Sequence, residues 1–389
     1  MKRILFNRRT VLITGTAALL AGCQVVPKTG PTVGQGPTSG PSPEPSATVL
    51  PTDQTRHRVA LLVPMTGRNG EVGQALANAA NMALLDTNAA NLRITTYDTS
   101  ADPSAAANKA LADGNKLILG PLMAQNIPAV APQARAAKVP IISFSNDSRA
   151  AAKNVFVMGH IPEQSINRTV AYARSKGASR FGAVIPNGQY GDRSATALGN
   201  ALREYGGSLA STERYSRGNT SIVSAANKLR TRGGYDTVLI ADGANLATRA
   251  AAEIRTGRDG NIRILGTELW GGEGSLSRSS AMRGAIFSAV SDGRFKRYSS
   301  SYENRFGRKP FRVSSLGYDA VLLTLRVARN WKVGRNFPAK QLREEDGFVG
   351  VDGAFRFRKS GVIERALAVV EVRDGSFATV DAAPSSFAK

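Results

Sequence analysis

Residues 58–86 read RVALLVPMTGRNGEVGQALANAANMALLD and hold one complete strand, loop and helix. Val59, Ala60, Leu61, Leu62 and Val63 form an unbroken apolar run, the pattern of a strand covered on both faces by crossover helices. Pro64 ends it. Thr66, Gly67, Arg68, Asn69 and Gly70 then supply a turn rich in residues that tolerate positive φ, and Val72, Leu76, Ala79 and Ala83 recur at helical spacing on one apolar face. Ligands of a parallel α/β sheet gather beyond the carboxyl ends of its strands, so the 65–70 loop, with Arg68, is the first expected wall of a binding site.

Outward from this unit the alternation continues. Residues 92–97 read as a strand, 103–113 as a helix, 116–119 as a strand, 126–138 as a helix and 139–143 as a strand. A second series follows: helices over 163–176, 192–205, 221–231 and 245–255, with strands over 181–185, 208–215, 237–240 and 262–265. This is βα alternation of a doubly wound parallel sheet, repeated, and it predicts an α/β protein of two lobes with a cleft between them. After residue 283 the order changes, with a strand over 285–290, helices over 295–306 and 314–330, late strands over 348–357 and 366–372, and a turn at Asp374-Gly375.

Composition agrees with a globular chain: 389 residues, 42% hydrophobic and 21% charged. Lys and Arg exceed Asp and Glu by 22, a balance that favours anionic surfaces such as lipid headgroups and acidic cell-wall polymers. No nucleic-acid module and no dense Lys/Arg run is present, so nucleic acid is not an expected partner. The two histidines, His57 and His160, make no metal cluster with the single cysteine. No G-x-S-x-G elbow, Walker A loop or complete G-x-G-x-x-G fingerprint occurs, and neither an enzyme nor a cofactor is expected.

The N-terminus has a basic segment, then an apolar run over 11–20 too short to span a bilayer, then Leu20-Ala21-Gly22-Cys23. This resembles the signal peptide and lipobox of bacterial lipoproteins, with Cys23 acylated after removal of residues 1–22, and the paired Arg8-Arg9 is similar to a twin-arginine export signal. Loss of Lys2, Arg3, Arg8 and Arg9 would take four positive charges from the chain and leave +18. Residues 24–56 are rich in Pro, Gly, Ser and Thr and read as a tether, about 33 residues with a reach of roughly 30 Å as a coil and about 100 Å when stretched. Gln24 in place of an aspartate after the cysteine points to the outer membrane facing the periplasm.

The blocks 58–86, 117–145 (LILGPLMAQNIPAVAPQARAAKVPIISFS), 186–191 (PNGQYG), 316–320 (LGYDA) and 349–357 (VGVDGAFRF) together resemble the type I periplasmic binding proteins, particularly the leucine/isoleucine/valine-binding branch. The resemblance implies two Rossmann-like lobes over 57–389 joined by a three-segment hinge, one lobe holding 57–159 and 283–331 and the other 160–282 and 332–389. It further implies a small, amino acid-like solute in the cleft, contacted by Arg68, Ala124, Ser145 and Asn146 from the first lobe and by Tyr190, Asp242 and Glu268 from the second. Ser145 and Asn146 would meet the solute carboxylate and Glu268 its ammonium; Ala124 stands where amino-acid binders carry a hydroxyl. Two functions follow from the likeness: delivery of a solute to an ABC permease, or, as in the activators of penicillin-binding proteins, stimulation of a peptidoglycan synthase.

Overall fold

Successive residues of the opening strand face opposite helical layers, and this is why its sequence is apolar throughout. In the computed structural model, which describes residues 55–218, 220–257, 262–290, 292–384 and 387, β1 (His57–Val63) is flanked on both sides by parallel neighbours. Val59, Leu61 and Val63 enter one apolar cluster with Leu76 and Ala80, while Ala60 and Leu62 enter the opposite one with Ala107 and Val130. A strand buried on one face only would have alternated.

The chain continues through α1 (Gly70–Asp86), β2 (Leu92–Asp98), α2 (Pro103–Ala112), β3 (Leu117–Leu119), α3 (Ile127–Ala136), β4 (Ile141–Ser143) and β5 (Val155–Val157). These strands form a parallel sheet in the order β2-β1-β3-β4-β5. The Asp102 carboxylate caps α2 by accepting from the Ser104 and Ala105 amides at 2.8 and 3.0 Å, a cap worth about 1 kcal/mol. β5, the buried run Val155-Phe156-Val157, was not expected.

After β5 the chain crosses to the second lobe: α4 (Pro162–Ser175), β6 (Arg180–Pro186), α5 (Gln189–Tyr205), β7 (Ser208–Tyr215), α6 (Ser221–Arg232), β8 (Thr237–Ile240), α7 (Ala244–Arg255), β9 (Arg263–Leu265) and β10 (Ile286–Ala289). It returns to the first lobe for α8 (Asp292–Phe306), α9 (Ser315–Ala328) and the antiparallel β11 (Phe348–Gly350), β12 (Gly353–Phe357) and β13 (Ile363–Arg365). It crosses a last time to end the second sheet with β14 (Ala368–Arg373) and β15 (Ser376–Asp381). That sheet runs β15-β14-β10-β9-β8-β6-β7, parallel except for β14 and β15.

Two expected boundaries are corrected by this topology. β10 pairs with β9 and β14, so the segment from 283 belongs to the second lobe until the chain reaches α8. Residues 332–365 belong to the first, because Trp331, Phe337, Phe348, Phe355 and Ile363 complete the cluster around α1 and α9. The expected single strand over 348–357 is a hairpin, β11 to β12. Asp319 captures the Val351 and Asp352 amides and Gly353 takes a φ of +79°, which a side chain would resist.

The two lobes share a construction at their first helices. Gly73 of α1 lies so close to the end of β1 that a Cβ there would sit 1.6 Å from the Pro64 carbonyl oxygen; Gly191 of α5 would meet the Pro186 oxygen at 1.7 Å. In each, a strand ends in proline and a helical glycine lets the next helix fold back on it. All the described residues lie in one compact unit, Leu50–Lys389, which closes its own apolar clusters and so carries what it needs to fold alone. The expected leader, Cys23 and nearly all of the tether lie outside the described residues.

Candidate functional site

The loops that follow β3, β4, β6 and β9 all leave the carboxyl ends of their strands and meet across an open cleft of about 1140 Å³. From the first lobe come Leu122, Met123, Ala124, Phe144, Ser145, Asn146 and, around the start of α9, Arg312, Val313 and Leu316; from the second come Gln189, Tyr190, Arg193, Glu268 and Leu269. Of the residues expected at the site, Ala124, Ser145, Asn146, Tyr190 and Glu268 are brought together here.

Arg68 and Asp242 are not. The 65–70 loop is held against the end of β2, where Asp98 accepts from the Met65 amide at 2.8 Å and Ser100 meets the Thr66 amide at 3.1 Å, which leaves Arg68 exposed outside the cleft wall. Asp242 is buried and its carboxylate is taken by the Tyr215 hydroxyl, by Arg217 at 2.7 Å and by the Gly243 amide at 2.7 Å. It acts one step back from the wall: Arg217, which it holds, lies over the Tyr190 ring at 5.3 Å. Trp270 is fully buried, donates to the Asp242 carbonyl at 2.8 Å and packs on Phe287, so it is core and not a lid.

The cations around the cleft are already matched. Arg193 makes a two-pronged pair with Glu163 at 2.8 and 2.7 Å and reaches across to the Asn146 carbonyl at 2.5 Å. Arg149 pairs with Asp147 at 2.7 Å, and Arg312 is shared by Asp292 and Asp352 at 2.8 and 3.0 Å. Glu268 is different. Its Oε1 accepts from the Tyr190 hydroxyl at 3.1 Å, and that hydroxyl also meets Thr267 at 2.9 Å, but Oε2 is occluded with no partner among the described residues. Burial pushes the Glu268 carboxyl up to about 7, with Tyr190 opposing only in part; burial and the Glu268 charge raise the Tyr190 phenol in turn. On the opposite wall Ser145 Oγ accepts the Asp147 amide at 3.0 Å, which leaves its own O–H to donate.

Arg193, Glu163 and Arg312 carried no local signal. A lone arginine in a helix reads as surface, and only the three-dimensional approach of α5 to the 144–147 loop makes Arg193 a bridge between lobes. Arg193→Met should release that bridge at a cost of about 1 to 3 kcal/mol. Small-angle scattering of the unliganded variant should then give a larger radius of gyration than the parent; an identical radius would show that these bonds do not hold the lobes together.

The periplasmic binding protein family model matches residues 57–376. The chain belongs to this family. Among solved structures, the branched-chain amino acid transporter substrate-binding protein LivJ of Streptococcus pneumoniae, in complex with isoleucine, superposes with a TM-score of 0.64 at 19% identity, over 85% of this chain and 100% of that one. A solute-binding protein of an R. palustris ABC transporter, in complex with benzoate, gives 0.65 at 16% identity over 86% and 98%. Among curated proteins, an uncharacterised protein of Rickettsia prowazekii (strain Madrid E) is 29% identical over 184 residues, 47% of this chain and 49% of that protein, so the match spans about half the length of that relative. The α/β fold of two lobes is therefore that of the type I, leucine/isoleucine/valine-binding-like branch, and the family is one of solute-binding proteins.

Proposed function

We propose that this chain is a lipid-anchored periplasmic solute-binding protein that takes an amino acid or a similar zwitterion and presents it to an ABC permease. The observation that carries this reading is the unpartnered Oε2 of Glu268 beside a cleft whose arginines are already paired. The site is short of a donor, and an ammonium group supplies one. Ser145 and the amides of the loops after β3 and β4 suit the carboxylate at the other end. Isoleucine in one neighbour and benzoate in the other are both carboxylates, but only isoleucine carries the ammonium that Glu268 calls for. Closure strengthens both contacts by excluding water.

A thermal-shift and calorimetric screen of Leu50–Lys389 against amino acids, simple carboxylates and cell-wall peptides tests this. An amino acid should raise the melting temperature, and Glu268→Gln should weaken its binding by about 1 to 3 kcal/mol. The pH dependence has a definite sign. Below about 7 Glu268 holds its proton and offers a cation little, so affinity for an amino acid should rise as pH increases through that value. The unliganded protein should move the other way: ionising a carboxyl that folding has pushed up from 4.5 costs stability as pH rises toward 7, and Glu268→Gln should remove that decline. Binding of benzoate-like acids with no response to Glu268→Gln would reject the ammonium role. No shift with any solute would favour the activator reading, with a peptidoglycan synthase as the partner.

A further inference from the structure

α8 is amphipathic in an unusual way. Its inner face is an aromatic stripe, Phe295, Tyr298, Tyr302 and Phe306, packed on Ala75, Ala79 and Met82 of α1. Its outer face presents Lys296, Arg297, Ser300, Ser301 and Asn304, and the loop beyond adds Arg308 and Lys309; all are exposed. None of the four cations makes an ion pair among the described residues, whereas Arg294, Arg305 and Arg312 of the same segment are held by Gly350, Asp86 and Asp292.

Exposed apolar side chains neighbour the residues that hold α8 in place. Phe311, 42% exposed, closes the loop; Val349, 60% exposed, precedes the Gly350 that accepts from Arg294; and Leu85, 67% exposed, precedes the Asp86 that pairs with Arg305. A solvated polyanion would leave such residues in water, while a bilayer interface takes charge and apolar surface together.

We propose that the outer face of α8 and the 307–311 loop dock on an anionic phospholipid bilayer, the cations meeting headgroup phosphates and Phe311 entering the interface. This is independent of what the cleft binds. The test is co-sedimentation of Leu50–Lys389 with vesicles of phosphatidylglycerol and phosphatidylcholine, and with pure phosphatidylcholine. Binding should require the anionic lipid and fall with salt. The fourfold variant Lys296→Gln, Arg297→Gln, Arg308→Gln, Lys309→Gln should lose it by about a hundredfold or more, since each cation near an anionic surface contributes severalfold. Lys228→Gln with Arg249→Gln on the second lobe should bind as the parent does, and all variants should keep the parent melting temperature, because these side chains are exposed.

Phe311→Ser should weaken vesicle binding and leave retention on heparin, a soluble polyanion, unchanged. Equal binding to neutral vesicles, or a fourfold variant that binds as well as the parent, overturns the proposal. So does vesicle binding indifferent to Phe311→Ser, which would assign the face to a soluble acidic polymer.

Discussion

Asp352→Ala should lower folding stability by about 3 to 5 kcal/mol, the cost of leaving a buried charge without its partner. Asp352 is fully buried in the first lobe, beside His160 where the chain first crosses. Its Oδ2 accepts from His160 at 2.9 Å and from Ser315 at 2.7 Å, and its Oδ1 from Arg312 at 3.0 Å. Burial by itself would raise this carboxyl, but the charges of Arg312 and Arg365 and the hydrogen bond to His160 outweigh it and hold the group well below the ordinary carboxylate range. Nearby Asp319 goes the other way, pushed up to about 7 by burial and by the Asp352 charge. Two acids thus share one buried site that pushes them in opposite directions. Among the described residues, removing Asp352 leaves Arg312 paired with Asp292 alone and Arg365 with its Nε and Nη1 already unpartnered. Urea unfolding of the variant is the measurement; an unfolding free energy within about 1 kcal/mol of the parent would show that water enters the cluster and screens it.

Gly73→Ala and Gly191→Ala should each cost about 3 kcal/mol or more, the upper range for forcing volume into a packed site. The added methyl would lie 1.6 Å from the Pro64 oxygen in one and 1.7 Å from the Pro186 oxygen in the other, both backbone atoms at the end of a central strand. Relief requires the helix to move off the strand, which disturbs the cleft loops with it. Gly67→Ala is the control: its φ of +68° is strained for alanine, but nothing lies within 4 Å of the new methyl, so only about 1 to 2 kcal/mol is expected. Equal losses at Gly67 and Gly73 would mean that backbone conformation, not contact, sets the cost. Thermal unfolding of the three variants decides it.

The parallel strands were legible in the sequence because burial on both faces writes itself as a continuous apolar run, as in 59–63 and 238–240, and because each helix between them repeats with its own period. The lobe boundaries were not. Whether β10 joins one sheet or the other depends on pairing with β9 and β14, and neither partner marks its sequence. At the cleft, Ser145, Tyr190 and Glu268 were found because they stand at strand ends; Asp242 stands at one too, but Tyr215 and Arg217 turn its carboxylate inward. Arg68 fails for a similar reason, since Asp98 and Ser100 fold its loop back on β2.

Because the chain passes between its sheets three times, neither lobe is a contiguous stretch of sequence. A fragment ending after β5 would contain a five-stranded sheet lacking the cover that α9 and β12 provide, and would leave Leu61, Phe156 and Val157 facing water. Conversely, a protease that cut one crossing would leave the halves joined by two others. The molecule can therefore be nicked at its hinge without coming apart, yet cannot be divided into independent halves by shortening the gene.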